Sequence, residues 1–326
     1  CDRPSMAGPM IRLAHLLSAS AHNPRHRANL VAPGRCGVAK LVEIVGVTHN
    51  PVLPRMMADP GAGEAVLRGR EDYEDMRRRM TAAKPDLLVV IASDHVNQWF
   101  MDNMPAFLVG KAPRAEGPFP HEIRYGLTEY RADTAVEFAK GLIAEGSRAG
   151  VDFAFSDEFL MDHAFTVPLG FVRPEMDLPV VPVWTNVVAP PLPTSRRFFE
   201  VGQAIRKAIE AIPGDERVGV LSSGHMAVEL GGPRQLDGGS PDPEFDRRMM
   251  DLIVAGDSET VIREATVERM LAAGNMTPGF LNYVLLLGMA GGHAPSAAGV
   301  RFPEPIGANT GAIPHMAWHL DTGSVA

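Results

Sequence analysis

Short, uninterrupted apolar runs alternate along this chain with longer segments of helical periodicity. Uninterrupted runs are typical of strands that are covered on both faces, whereas half-exposed strands alternate apolar and polar residues. The runs predict strands at residues 41–47, 86–92, 180–184 and 217–221. The helical periodicity predicts helices at residues 64–83, 131–149, 195–211, 244–255 and 275–289.

The alternation of strands and helices is the pattern of an α/β protein. It predicts a mostly parallel central sheet flanked by helices, within a single large domain. Ligands of such sheets bind at the carboxyl ends of the strands. The residues that directly follow each predicted strand are therefore the first candidates for a functional site.

The first 37 residues differ from this pattern. They contain four prolines and five arginines, and core-like sequence begins abruptly at Val38. We therefore expect residues 1–37 to be a poorly ordered N-terminal extension and residues 38–326 to form the folded domain. Val38 is either the native start, with an upstream extension read in frame, or the first residue after a flexible arm.

Charge and composition narrow the classes of function. The chain has 31 basic and 39 acidic residues, a net charge of −8. Binding to phosphate backbones needs a surplus of positive charge, so no nucleic acid partner is expected. No apolar run approaches the roughly 18 residues of a membrane span, so no membrane partner is expected. The two cysteines exclude a disulfide framework and indicate a cytoplasmic enzyme that acts on a small molecule.

Histidines follow the predicted strands. His49 comes directly after the first strand, His95 after the second and His225 after the fourth, while His163 lies in a turn. Imidazole binds zinc, iron, copper or nickel, and it carries protons near neutral pH. The pattern predicts a metal or acid–base site at one edge of the sheet. Taken singly, each histidine is also compatible with a hydrogen-bonded loop residue.

The sequence around these histidines forms recognisable motifs. They read Gly-Val-Thr-His49-Asn-Pro, Ser-Asp-His95-Val-Asn-Gln-Trp, Met-Asp-His163-Ala-Phe-Thr-Val-Pro-Leu and Thr-Asn-Val-Val-Ala-Pro-Pro-Leu-Pro, with a later Gly-Pro-Arg234 and Ala-Asn-Thr310. In order and spacing they resemble the class III extradiol ring-cleaving dioxygenases, of the protocatechuate 4,5-dioxygenase catalytic-subunit type. The resemblance extends from Glu43 to about Ala312, which implies that residues 38–326 form a catalytic domain.

The resemblance implies roles for individual residues. His49 and His95 would bind a non-haem Fe(II), although these ligands also suit another divalent metal. His163 would hydrogen-bond the substrate or bound dioxygen. Asn309 and Thr310 would line the pocket of a small aromatic or cyclic substrate.

Two positions depart from the family's pattern. Gly279 stands where the family has its third ligand, a glutamate, and Val228 stands where it has a catalytic histidine. The candidates for a replacement carboxylate are Glu229 and Asp94, and the candidate for the acid–base function is His225. The alternatives are a site with two histidine ligands only and a fold that no longer binds a catalytic metal.

The leading interpretation is an Fe(II)-dependent extradiol dioxygenase that opens a phenolic, catecholic or related cyclic substrate with dioxygen. The alternatives are a non-oxidative metal-dependent hydrolase or lyase on the same scaffold, and a non-catalytic subunit of a heteromeric dioxygenase. Ala308 replaces a serine of protocatechuate-cleaving relatives, which makes a benzoate-type carboxylate a less suitable substituent. The expected assembly is a homo-oligomer or a complex with a small helical lid subunit.

Overall fold

The computed structural model describes residues 37–237, 239, 241–303 and 311–320. Apart from Gly37, the predicted N-terminal extension lies outside the described residues. The predicted pocket residues Asn309 and Thr310 lie outside them as well.

A mixed sheet of eight strands is the central layer of the fold, and a separate two-stranded sheet pairs β4 with β5. In chain order the strands are β1 (Lys40–Thr48), β2 (Leu87–Ser93), β3 (Phe107–Gly110), β4 (Arg114–Gly117), β5 (Tyr130–Asp133), β6 (Ala154–Ser156), β7 (Val180–Thr185), β8 (Arg217–Gly224), β9 (Ala297–Arg301) and β10 (Ile313–His319). The order across the large sheet is β6-β3-β7-β2-β8-β1-β10-β9.

The centre of the large sheet is parallel. Strands β7, β2, β8 and β1 all run in the same direction, whereas β3 is antiparallel to β7 and β10 is antiparallel to both β1 and β9. The predicted α/β fold with a mostly parallel sheet is confirmed. The uninterrupted apolar runs have the predicted cause, because every residue of β2 and β7 is buried.

Ten α-helices in the described residues flank the sheet. They are α1 (Leu53–Ala58), α2 (Glu64–Ala82), α3 (Val136–Arg148), α4 (His163–Val172), α5 (Ser195–Ile209), α6 (Pro233–Leu236), α7 (Pro243–Val254), α8 (Ser258–Glu264), α9 (Val267–Ala273) and α10 (Leu281–Met289). Side-chain oxygens cap several helix starts, including Asp162 for α4 and Thr194 for α5. Such caps satisfy backbone N–H groups that have no partner inside the helix.

Two predicted helices begin later than the periodicity indicated. The segment 131–149 opens in strand β5, where buried Tyr130 and Ala132 alternate with exposed Arg131 and Asp133. That period of two belongs to a strand, so the helix starts only at Val136. The segment 275–289 opens as a 3-10 helix, Thr277–Phe280, before α10 begins.

Helix α10 is the most deeply buried helix of the core. All nine of its residues are buried, and it packs against α5 and β8. Within the described ranges, no single helix is long and apolar enough to cross a membrane. One bent pair, Val267–Ala273 with Thr277–Met289, meets that requirement only when its halves are joined across a 120° bend.

Strands β1, β8 and β2 end at the same edge of the sheet. In the parallel ladder Thr48 lies opposite Gly224, and Ile91 of β2 lies opposite Ser222 of β8. The residues that follow these strands therefore emerge side by side, which is where α/β sheets bind their ligands.

Candidate active site

Three histidines converge where these three strands end. His49 follows β1, His95 follows β2 and His225 follows β8. The ring centroids of His49 and His225 are 4.1 Å apart, and those of His49 and His95 are 5.1 Å apart. One ring nitrogen from each of the three lies within 4.8 Å of the others. Three imidazoles at this spacing can bind one metal ion.

The hydrogen bonds of His49 determine which of its nitrogens is free. The Ser223 hydroxyl donates to the carbonyl oxygen of Ala164, at 2.6 Å, and so it accepts a bond of 2.9 Å from Nδ1–H of His49. Nε2 therefore holds a lone pair, and it is buried without a hydrogen-bond partner. Burial, with the nearby His225, lowers the pKa of His49 well below its usual value, which keeps the ring neutral.

His95 is oriented by a buried carboxylate. Asp162 accepts hydrogen bonds from Nδ1 of His95 at 2.9 Å and from its backbone nitrogen at 3.1 Å. Burial is the largest single influence and lowers the pKa of His95, but the charge and hydrogen bond of Asp162, with the charges of Asp94 and Glu122, together raise it. A carboxylate behind an imidazole is a common support for a metal ligand, since it fixes the ring and leaves Nε2 for the metal.

His163 lies at the first turn of α4 and stacks on His95 with ring centroids 4.3 Å apart. Its Nδ1 hydrogen-bonds the carboxylate of Glu122, which is buried. Glu122 also accepts a bond of 3.0 Å from the backbone nitrogen of Phe119. No periodic signal in the sequence points to Glu122, because it lies in a loop before a short 3-10 helix.

The two predicted replacement carboxylates both accept hydrogen bonds from backbone nitrogens. Asp94 accepts bonds from the backbone nitrogens of Asn97 and Trp99, and burial raises its pKa to about 6. Glu229 accepts a bond of 2.9 Å from the backbone nitrogen of Asn275. Among the described residues, neither carboxylate belongs to a group that could share a metal with His49.

His225, predicted as the acid–base residue, lies beside His49, at a distance that would also let both rings bind one metal. Burial, followed by the neighbouring His95 and His163, lowers its pKa to about 3, so the ring is neutral. Val228 lines the adjoining cavity and has no titratable group.

A cavity of about 430 Å³ adjoins the four histidines, of which only the fully buried His49 does not line it. Its wall includes His95, His163 and His225, and also His121, Arg124 and Tyr125. The guanidinium of Arg124 donates to the Tyr125 hydroxyl at 3.1 Å and lies 5.1 Å from the centre of that ring. A cavity of this size suits a substituted single-ring molecule.

The site fits a divalent metal. The unpartnered Nε2 of His49 is a buried polar atom, and such atoms cost free energy unless something binds them. The Nδ1 atoms of His49 and His95 are already engaged, which leaves their Nε2 atoms as donors. Imidazole donors suit iron, zinc, copper or nickel.

Comparison with known proteins gives the family. Residues 43–310 match the model of the LigB family, described as the catalytic LigB subunit of aromatic ring-opening dioxygenase. By structure, the chain is similar to an uncharacterized protein of Escherichia coli K12. The TM-score is 0.54 and the identity 14%, over 85% of this chain and 99% of that one. At that identity the likeness shows the fold alone.

Curated relatives agree with the family model. The chain is 30% identical to a 2,3-dihydroxyphenylpropionate/2,3-dihydroxicinnamic acid 1,2-dioxygenase of Photorhabdus laumondii, over 71% of this chain and 67% of that protein. It is 31% identical to the enzyme of that name from Cupriavidus necator, over 72% of this chain and 79% of that protein. For one of two such enzymes from Pseudomonas putida, the match covers 54% of the relative. The chain therefore belongs to the LigB family of aromatic ring-opening dioxygenases, which confirms the resemblance to the class III extradiol enzymes.

Proposed function

We propose that this chain is an Fe(II)-dependent dioxygenase that opens the ring of a catechol with an acidic side chain. The convergence of His49, His95 and His225, next to a cavity that His95, His163 and His225 line, is the observation that carries the proposal. The family supplies the reaction class, in which both atoms of dioxygen enter the opened ring. Iron is the metal that the family implies, and imidazole ligands suit it.

The three histidines at the strand ends would hold the metal. When bound there, it would bring catecholate and dioxygen together on one centre and favour ionisation of the catechol hydroxyls. The chain contributes by orienting the imidazole rings whose nitrogens would bind the metal. Ser223 fixes the tautomer of His49, and Asp162 fixes the ring of His95, so neither ring has to reorient.

His163 would carry the protons of the reaction. Glu122 accepts from Nδ1, which leaves Nε2 of His163, a residue of the cavity wall, outside that hydrogen bond. From there it takes a proton from a catechol hydroxyl and returns one during ring opening. The buried Glu122 carboxylate stabilises the imidazolium formed in between, as a carboxylate does behind other catalytic histidines.

Arg124 would bind the acidic side chain of the substrate. The curated relatives are named for 2,3-dihydroxyphenylpropionate, whose carboxylate lies at the end of a two-carbon arm. Arg124 is an arginine on the cavity wall, and a guanidinium pairs well with a carboxylate. An arm that reaches Arg124 is consistent with Ala308, which disfavours a carboxylate attached directly to the ring.

Oxygen uptake tests the proposal. The protein is loaded anaerobically with Fe(II) and mixed with 3-(2,3-dihydroxyphenyl)propionate. We expect one dioxygen consumed per catechol and a conjugated ring-opened product, followed by absorbance. His49→Ala should abolish uptake, while His121→Gln, on the same cavity wall but outside the histidine cluster, should retain it. Iron-loaded protein that consumes no dioxygen with any catechol would refute the proposal.

A product formed without dioxygen would instead support a metal-dependent hydrolase or lyase, because three imidazoles around a metal also activate water. A cytoplasmic location, a homo-oligomer and a small helical lid subunit stay predictions. Size-exclusion chromatography coupled to light scattering would test the assembly.

A further inference from the structure

His225 and Gly279 share one space in the active site. A Cβ atom built on Gly279 would lie 2.9 Å from Cδ2 of His225, 3.2 Å from its Cβ and 3.3 Å from its backbone nitrogen. The nearest of these distances is too short for real atoms. A side chain at position 279 and the ring of His225 therefore exclude each other.

Neither backbone can move away to relieve this contact. A Cβ atom on Gly224, the last residue of β8, would lie 2.5 Å from the carbonyl oxygen of Gly279, so the two segments touch through their main chains. Gly224 is also held in the parallel ladder opposite Thr48. Beyond the turn, the Tyr283 hydroxyl donates to the carbonyl oxygen of Val47 at 2.8 Å. The end of β8 and the segment that leads into α10 are therefore held in contact.

His225 is a further departure from the family's pattern, beside those at Gly279 and Val228. By the resemblance, the family has glycine where this chain has His225, and glutamate where this chain has Gly279. In this chain the glycine and the ligand-bearing side chain have changed places. The imidazole of His225 brings a nitrogen within 4.8 Å of one ring nitrogen of His49 and one of His95.

We propose that this is a reciprocal exchange, in which the third metal ligand has moved from the turn at Gly279 to the strand end at His225. The inference rests on the proposed role of His49 and His95 as ligands. The exchange changes the charge of the site, because a glutamate offsets one unit of the metal's charge and a neutral imidazole offsets none. It also changes metal preference, since carboxylate suits manganese and imidazole suits zinc, copper, iron or nickel.

X-ray absorption of the metal-loaded protein tests the ligand set directly. Multiple scattering from imidazole rings counts them around bound Zn(II) or anaerobic Fe(II). We expect three in the natural protein and two in His225→Leu, with an affinity loss of at least about 10–100-fold by competition calorimetry. His121→Leu is the matched control, and it should keep three rings and the original affinity. Two rings in the natural protein would overturn the proposal.

The reverse exchange tests the shared space. Gly279→Glu alone should weaken Zn(II) binding, because the new side chain displaces His225. The double variant His225→Gly with Gly279→Glu should restore binding to within about tenfold and raise Mn(II) affinity relative to Zn(II). Wild-type affinity in Gly279→Glu alone would overturn the inference. If Gly279→Glu does not fold, the number of imidazole rings around the metal in the natural protein still tests the proposal. These binding measurements use neither catechol nor dioxygen, so their results do not depend on whether the enzyme is active.

Discussion

The buried carboxylate of Glu122 offers the sharpest test of the proton-transfer half of the site. Glu122 is 2% exposed, and its two oxygens accept from different groups. Oε1 accepts from Nδ1 and the backbone nitrogen of His163, and Oε2 accepts from the backbone nitrogen of Phe119. The substitution Glu122→Gln keeps the shape of the side chain and removes its charge.

An amide cannot satisfy both sides of this arrangement. If the amide oxygen faces His163, the NH₂ group meets the N–H of Phe119, and two buried donors oppose each other. If the amide is reversed, its NH₂ faces Nδ1 of His163, and the ring proton must move to Nε2, where a base needs a lone pair. Either orientation costs about 1–3 kcal/mol of folding stability for the unsatisfied group. Loss of the counter-charge to the imidazolium should lower kcat by about 10²–10⁴-fold.

Steady-state oxygen uptake and metal content together check this prediction. We expect kcat to fall while bound iron stays unchanged, because Glu122 contacts His163 and not the proposed ligands. Glu129→Gln is the control, since Glu129 is an exposed glutamate that pairs with Arg131 on the surface. A Glu122→Gln enzyme with kcat within twofold of the natural protein would refute the reasoning. A loss of iron in parallel with kcat would place Glu122 in metal binding instead.

Three further predictions concern single side chains. Asp162→Asn should weaken metal binding by about 10–100-fold, measured by competition calorimetry, because His95 loses its oriented partner. Arg124→Gln should raise KM about 10–100-fold for a catechol with a propionate arm and less than about twofold for its methyl ester; equal effects would remove Arg124 from substrate binding. Burial raises the pKa of Asp246 well above its usual value, so folding favours its protonated form. This stabilisation is complete below about pH 4 and is lost as pH rises through the folded pKa. Asp246→Asn should therefore make the thermal midpoint less dependent on pH above about pH 4.

The fold and the places of His49, His95 and His163 could be predicted because their signals are local. A buried parallel strand is a short apolar run, and a residue directly after it must lie at the carboxyl edge of the sheet. His49 and His95 meet both conditions. His163 was found through its motif, and its place at the start of α4 follows from the cap formed by Asp162.

The other parts of the site depend on contacts between distant segments. Glu122 and His163 lie 41 positions apart in the sequence, and no local pattern predicts the hydrogen bond between them. Glu229 lies four residues after His225, which would place both on one face of a helix. No helix forms there, and Asn275 binds the carboxylate. The ring of His225 fits where it does because Gly279 has no side chain, and only the packed structure shows this contact.

Asp162 joins the start of helix α4 to the alignment of His95. One of its oxygens accepts from the backbone nitrogen of Ala164, and the other accepts from His95. Fraying of the first turn of α4 therefore also frees the imidazole ring of His95. A metal bound through His95 must in turn hold that turn closed. Amide hydrogen exchange at Ala164 should consequently slow on metal binding in proportion to occupancy, so that one backbone proton reports the state of the site.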